Sequence, residues 1–423
     1  MPPSSNTASN IAFVLLGGAS IVPWQAYISA LDFFMTLLPS RKIQYMIPIV
    51  NMFCILITTL TVVLFAHKVS PTKRIIGSGV MLMASLSVVP IQNYYLLHNQ
   101  ILDTNGTLIL PPNPTGAKVE NTIYWIVLIS LMCCACAASI MQSSLFGLAG
   151  AMSGEQPELT GWLNCGQGIA GVGVVALRCL TKYGMGDSQA AVSTLLFFGL
   201  GIIWVCVALV LFSVVIVRSE KEVKKGTRST SSVNTEKDLN VLLLDESNDI
   251  TIHVSKTKVI SKIWRQAGTA CLLFTTCISC FPGLTASLKS TTFDLGSWYP
   301  IILVATYNLG DLIGKTLPQY ISLFNSKRKE NLHLPLAALC HVGFVPLFVL
   351  MLTDVIVGDV IAFVVVGLLG ITTGYLGSSA MIAGPAQCER ASEREIAGTL
   401  DVLALVFGLT LGSIIGLIIS SYN

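Results

Sequence analysis

The chain has 423 residues, of which 53% are hydrophobic and only 11% are Asp, Glu, Lys or Arg, against about 25% in ordinary soluble domains. Such a chain cannot cover itself with charge, which excludes a soluble globular protein and points to a protein that crosses the membrane many times. The net charge of +3 comes with no basic nucleic-acid patch, so no nucleic acid is expected as a partner.

Met1 to Asn10 is polar without a basic n-region, and the apolar run behind it is too long for a cleavable signal peptide. Windows of about 20 apolar residues can span a bilayer as helices. Eleven are expected, near 11–37, 44–66, 74–97, 122–151, 161–181, 191–217, 267–288, 298–323, 334–352, 356–384 and 396–420. A barrel is excluded, because the runs are continuously apolar rather than alternating. Arg218 to Arg265 differs in kind: charged, rich in Ser and Thr and poor in aromatics, it reads as a flexible linker. Three units follow: a six-helix bundle over 1–217, the linker over 218–265 and a five-helix bundle over 266–423. The patch Leu239 to Glu246 suits a short amphipathic piece and cannot span.

With the N-terminus inside, loops on the inner side hold 18 Lys and Arg and those on the outer side hold 6. That excess predicts a cytosolic N-terminus and linker, with Asn423 outside. Asn105, in an Asn-Gly-Thr triplet, also falls outside and is a candidate glycosylation site. The 12 cysteines sit largely in apolar runs with no histidine near "CCAC" (Cys133 to Cys136), so they read as small packing groups; no metal site is expected.

Ionisable groups inside spans cost roughly 2.5–3.5 kcal/mol each on insertion scales. Asp311 and Lys315 are such groups, four residues apart and therefore on one helix face. They read either as a salt bridge tying helices together or as a charged face on a polar-solute pathway. Arg178 reads as snorkelling to the outer interface. Asp401 reads as a helix-packing hydrogen bond or a proton site, the first slightly favoured. "VPWQAY" (Val22 to Tyr27) is expected to break the first span at Pro23. "MQSSLFGLAG" (Met141 to Gly150) places Gln142 and Ser144 in the fourth span, and "GQGIAGVG" (Gly166 to Gly173) sets Gln167 among small residues. Helix packing explains each; for Trp24 and Gln142 an aromatic face and a forked amide equally suit a flat heterocycle.

In this order the segments resemble the equilibrative nucleoside transporters over nearly the whole chain. "PWQAYISALDFF" is similar to that family's Pro-Trp-Asn motif, and "QSSLFGLAG" and "GQGIAG" to its fourth- and fifth-span signatures. "FPGLTASLKS" (Phe281 to Ser290), "YNLGDLIGKTLP", "GYLGSSAMIAGP" (Gly374 to Pro385) and "EIAGTL" (Glu395 to Leu400) resemble those of spans seven, eight, ten and eleven. "ALRCLTKYG" and "WYPIILVATYNLGDLIGK" look most like the plant branch.

The resemblance implies an all-α polytopic membrane protein, eleven helices in a six-plus-five, major-facilitator-like arrangement. It implies facilitated diffusion of nucleosides such as adenosine or uridine, with nucleobases a further class, by alternating access and without a cofactor. A proton-coupled symporter using Asp311 or Asp401 is the alternative. Carried over by position, Trp24, Gln142, Asp311 and Lys315 line the central site, with Gln25, Ser144, Phe281 and Asn308 from the same motifs. The Gln142 position is expected to meet the base, and the Asp311 and Lys315 positions the ribose. The family usually has Arg where this chain has Lys315, and Asn where it has Gln25; lysine lacks the planar fork for a bidentate grip. A channel is disfavoured because no filter-like loop is visible, and an intramembrane enzyme because no catalytic set lies in the spans. The plasma membrane is favoured over an internal one.

Overall fold

The computed structural model describes residues 5–41, 43–65, 68–104, 106–109, 114–154, 156, 158–185, 190–226, 255–324, 326 and 328–421. The Asn105 triplet's first residue and the linker stretch 227–254, with its Leu239 to Glu246 patch, lie outside them.

Long apolar runs form long helices because lipid offers backbone groups no partner, so each span must satisfy its own. In chain order these are α1 (Ser5–Ser29), the short α2 (Leu31–Leu37), α3 (Ile43–Phe65), α4 (Pro71–His98), α5 (Pro114–Met152), α6 (Leu159–Met185) and α7 (Ala190–Gly226). Beyond residue 254 come α8 (Lys256–Cys280), the single turn α9 (Gly283–Ser287), α10 (Tyr299–Tyr320), α11 (Leu334–His341), α12 (Phe344–Leu352), α13 (Asp359–Ala386) and α14 (Ala391–Ser421). Hydroxyls inside these helices donate back to the preceding turn, as Thr269 does to Arg265 O at 2.7 Å and Thr276 to Leu272 O at 3.0 Å.

Among the described residues, ten helical segments are long and apolar enough to cross a membrane. The chain is an all-α polytopic membrane protein. The segment over Tyr299–Tyr320 is not one of the ten, although its 22 residues reach about 33 Å. Asn308, Asp311 and Lys315 dilute its apolar character.

Several boundaries depart from the expected windows: α5 begins at Pro114 rather than near 122, and α7 runs on to Gly226 rather than ending near 217, so the first residues of the expected flexible linker are helical. Pro23 does not break the first span: α1 runs through it, and the chain turns instead at Ala30 (φ −96°, ψ 13°) before α2. A membrane helix tolerates an interior proline when neighbouring groups re-satisfy the freed carbonyl. The seventh long helix begins at Lys256 rather than near 267 and ends at Cys280, because Phe281, which precedes Pro282, is held extended (φ −125°, ψ 136°). The 334–352 window is divided at Val342 and Gly343, preceded by a wide turn over Lys329–His333.

Glycine sets how the helices approach. A Cβ at Gly168 would lie 2.9 Å from Leu312 Cα, so α6 and α10 touch nearly backbone to backbone. A Cβ at Gly310 would lie 2.6 Å from Gly367 O, and one at Gly374 2.9 Å from Lys315 N, so α10 and α13 do the same. Thus α10 is wedged between α6 and α13 and carries its polar residues into the interior.

Candidate functional site

The centre of the site is on α10. Lys315 Nζ lies 2.7 Å from Asp311 Oδ2, one helical turn away, with side-chain exposures of 12% and 10%. Both lie within electrostatic reach of Cys277 on α8, and Lys315 also of Cys165 on α6. A buried pair loses hydration for both charges, so it persists only with close geometry; the 2.7 Å contact supplies it.

One turn earlier, Asn308 donates to Val304 O at 3.0 Å, which turns its Oδ1 toward α6. A Cβ at Gly171 would lie 2.7 Å from Asn308 Oδ1 and 3.7 Å from Gln25 Nε2. The missing side chain therefore lets amides from α1 and α10 converge on α6.

Tyr307 carries the opposite flank. Its ring stacks on Phe281 with centroids 3.8 Å apart and planes 15° apart. Its hydroxyl lies 2.9 Å from Cys277 Sγ, and Thr373 of α13 joins the same polar group. Thr373 and Thr372 in turn meet His341 Nε2 at 3.3 Å and Nδ1 at 3.1 Å. A buried chain of polar side chains so runs from His341 to the neighbourhood of Asp311.

The structure thus brings together Gln25 with Asn308, and Asp311 with Lys315, and seats Phe281 on Tyr307 beside them. Trp24 and Gln142 are half-buried on α1 and α5, helices that pack on each other. Ser144 is fully buried and donates to Ile140 O at 2.6 Å, back into its own helix. Gln167 reaches Ser20 of α1 at 3.4 Å, the packing bond expected of it. Asp401 is fully buried against Gly384, and among the described residues neither of its oxygens has a hydrogen-bond partner; the packing hydrogen bond expected there is not formed. Arg178 is half-buried near the end of α6. All twelve cysteines are free thiols.

Sequence reasoning missed Tyr307, Cys277, Thr373 and His341. It also missed Asp359, fully buried at the start of α13. That carboxylate accepts backbone N–H groups from Thr291 (2.8 Å), Thr292 (3.1 Å) and Phe293 (2.8 Å) and the Ser290 hydroxyl (2.8 Å). It thereby fastens the loop behind Phe281 to α13. An acid opening a long apolar run was the available signal.

The overall fold is shared with a bacterial homologue of the iron transporter ferroportin solved in an outward-facing state, with a TM-score of 0.63 over 99% of this chain and 100% of that one. Their sequences are 13% identical, so the likeness concerns fold alone. Equilibrative nucleotide transporter 1 of Arabidopsis thaliana is 27% identical over 98% of this chain and 86% of its own length. Equilibrative nucleoside transporter 2 of Mus musculus is 25% identical over 97% and 96%. The family of transporters described as "Nucleoside transporter" matches residues 126–421, well over half the sequence. The chain belongs to the nucleoside transporter family.

Proposed function

We propose that the chain moves nucleosides across a bilayer by facilitated diffusion, with the Asp311–Lys315 face of α10 as the ribose-binding wall. One observation carries this reading: polar groups from both halves of the sequence, Gln25 on α1 and Asn308, Asp311 and Lys315 on α10, gather at one buried seam along α6. Ribose hydroxyls both donate and accept, which suits a carboxylate beside an ammonium. Phe281 and Tyr307 offer π-faces for a base, and Gln142 and Trp24 on the facing helices complete the pocket as the two bundles close. The relatives' names support facilitated diffusion and lend nothing to the proton-coupled alternative.

Charge selects among polar solutes. Asp311 neutralises Lys315 at 2.7 Å, so the pair offers no net positive field for a phosphate. A neutral nucleoside fits this wall better than a nucleotide. The spans number eleven in this reading: α10 is the eleventh, enclosed between α6 and α13, and the arrangement is six plus five about a cytosolic linker between α7 and α8, the expected linker's ends at 218–226 and 256–265 being helical continuations of α7 and α8, with Asn423 outside and the plasma membrane as the site of action.

Uptake of radiolabelled adenosine or uridine into cells expressing the chain tests the reading. Saturable uptake that unlabelled nucleoside suppresses and AMP does not is the expected result. Non-saturable flux, or suppression by AMP at equal concentration, contradicts it.

A further inference from the structure

We propose that a groove between α8 and α11 binds one anionic phospholipid. The groove, of about 450 Å³, runs along Gly268 and Leu272 of α8 and Leu336 and Leu339 of α11, with Trp264 and Arg265 at its mouth. Trp264 is 59% exposed, and Leu336 and Leu339 are 53% and 59% exposed. On a spanning helix that exposure faces lipid. A tryptophan and an arginine at one end of an apolar channel are the groups that sit at headgroup depth.

The mouth is built for a negative group. Arg265 stacks over the Trp264 ring with its guanidinium carbon 5.3 Å from the centroid, and among the described residues no carboxylate pairs with it. Lys262, one turn earlier, is by contrast neutralised by Glu393 at 2.8 Å. Lys258, two turns earlier on the same helix, is exposed and adds positive charge at this end of α8. Asn331 also lines the groove; its Oδ1 accepts from Gln266 Nε2 at 2.8 Å, which leaves its amide N–H groups to donate. The headgroup phosphate is held by Arg265, whose planar fork matches two phosphate oxygens. An acyl chain lies along Gly268, where a Cβ would meet nothing within 4 Å.

The site is separate from the nucleoside wall and does not depend on it. Thermal unfolding of the purified full chain in detergent, titrated with dioleoyl phosphatidylserine, dioleoyl phosphatidylcholine or inorganic phosphate, tests it. Phosphatidylserine is expected to raise the Tm by a few degrees and phosphatidylcholine by clearly less, with phosphate inert. The measured quantity is the rise over each protein's own lipid-free Tm. Arg265→Gln removes the headgroup contact and Gly268→Phe, whose Cβ would have open space, sets a ring in the acyl channel, so each should abolish the phosphatidylserine increment. Equal increments from the two lipids, an increment from phosphate alone, or an increment retained in either variant overturns the proposal.

Discussion

Asp311 and Lys315 share one face, one turn apart, and each is the other's partner. Removing either therefore does two things: it deletes a ligand group and strands a buried charge, the latter at about 3–5 kcal/mol. Asp311→Ala and Lys315→Ala are both expected to abolish uptake, and surface labelling is needed to show that the protein still reaches the membrane. Near-normal transport by Asp311→Ala would remove the pair from the pathway. Lys315→Arg separates the ligand role from the charge. It keeps the partner of Asp311 and adds a fork, so uptake should persist with an unchanged or lower KM. If it is as inactive as Lys315→Ala, the pocket is shaped around the compact ammonium. The pair was legible in the sequence because ionisable groups stand out in an apolar run. Tyr307, Cys277 and Thr373 were not, since each is ordinary in a buried helix and becomes significant only by what it touches.

At the scale of elements, α10 meets its neighbours α6 and α13 nearly backbone to backbone. A Cβ at Gly310 would sit 2.6 Å from a backbone oxygen of α13, so Gly310→Ala must push the two helices apart. That overpacking costs about 1–3 kcal/mol and displaces Asp311 with its helix. Uptake should fall steeply, while Gly199→Ala on α7, where a Cβ would meet nothing within 4 Å, should leave it unchanged. Equal activity of the two variants would mean that the α10–α13 seam tolerates separation. Asp359 makes a second element-scale case. Asp359→Ala leaves the N–H groups of Thr291, Thr292 and Phe293 without their acceptor, at about 1–3 kcal/mol for each that stays buried. A lowered Tm, with Asp359→Asn intermediate because one oxygen remains, is the expected result; a Tm unchanged in Asp359→Ala would show the loop held by other contacts. The spans themselves could be read from hydropathy, since long apolar runs admit little but helix. Their ends were harder: Lys256 to Arg265 is too charged to count as apolar yet continues α8 as a helix, and Pro23 gives no break because membrane helices accommodate it.

At the scale of the molecule, one link joins regions 321 positions apart: Arg74 Nη2 donates to Glu395 Oε1 at 2.8 Å, tying the start of α4 to the start of α14. Both ends lie on the side where α7 finishes and α8 begins. Arg74 is only 8% exposed along its side chain, and its Nε and Nη1 have no partner among the described residues, so Glu395 is its principal compensation. In the proposed alternating-access cycle the two bundles separate on this side, and the bridge then breaks. Weakening it should shift the balance between the two orientations rather than erase the site. Glu395→Gln is therefore expected to change the maximal uptake rate more than the KM for nucleoside, and Arg74→Gln to do the same. The double variant Arg74→Gln with Glu395→Gln should lose less than the two single losses added together, because it no longer leaves one buried charge alone. Uptake kinetics for the four proteins of this cycle, normalised to surface protein, give the coupling directly. Strict additivity would show that the bridge plays no part in holding the bundles together on this side.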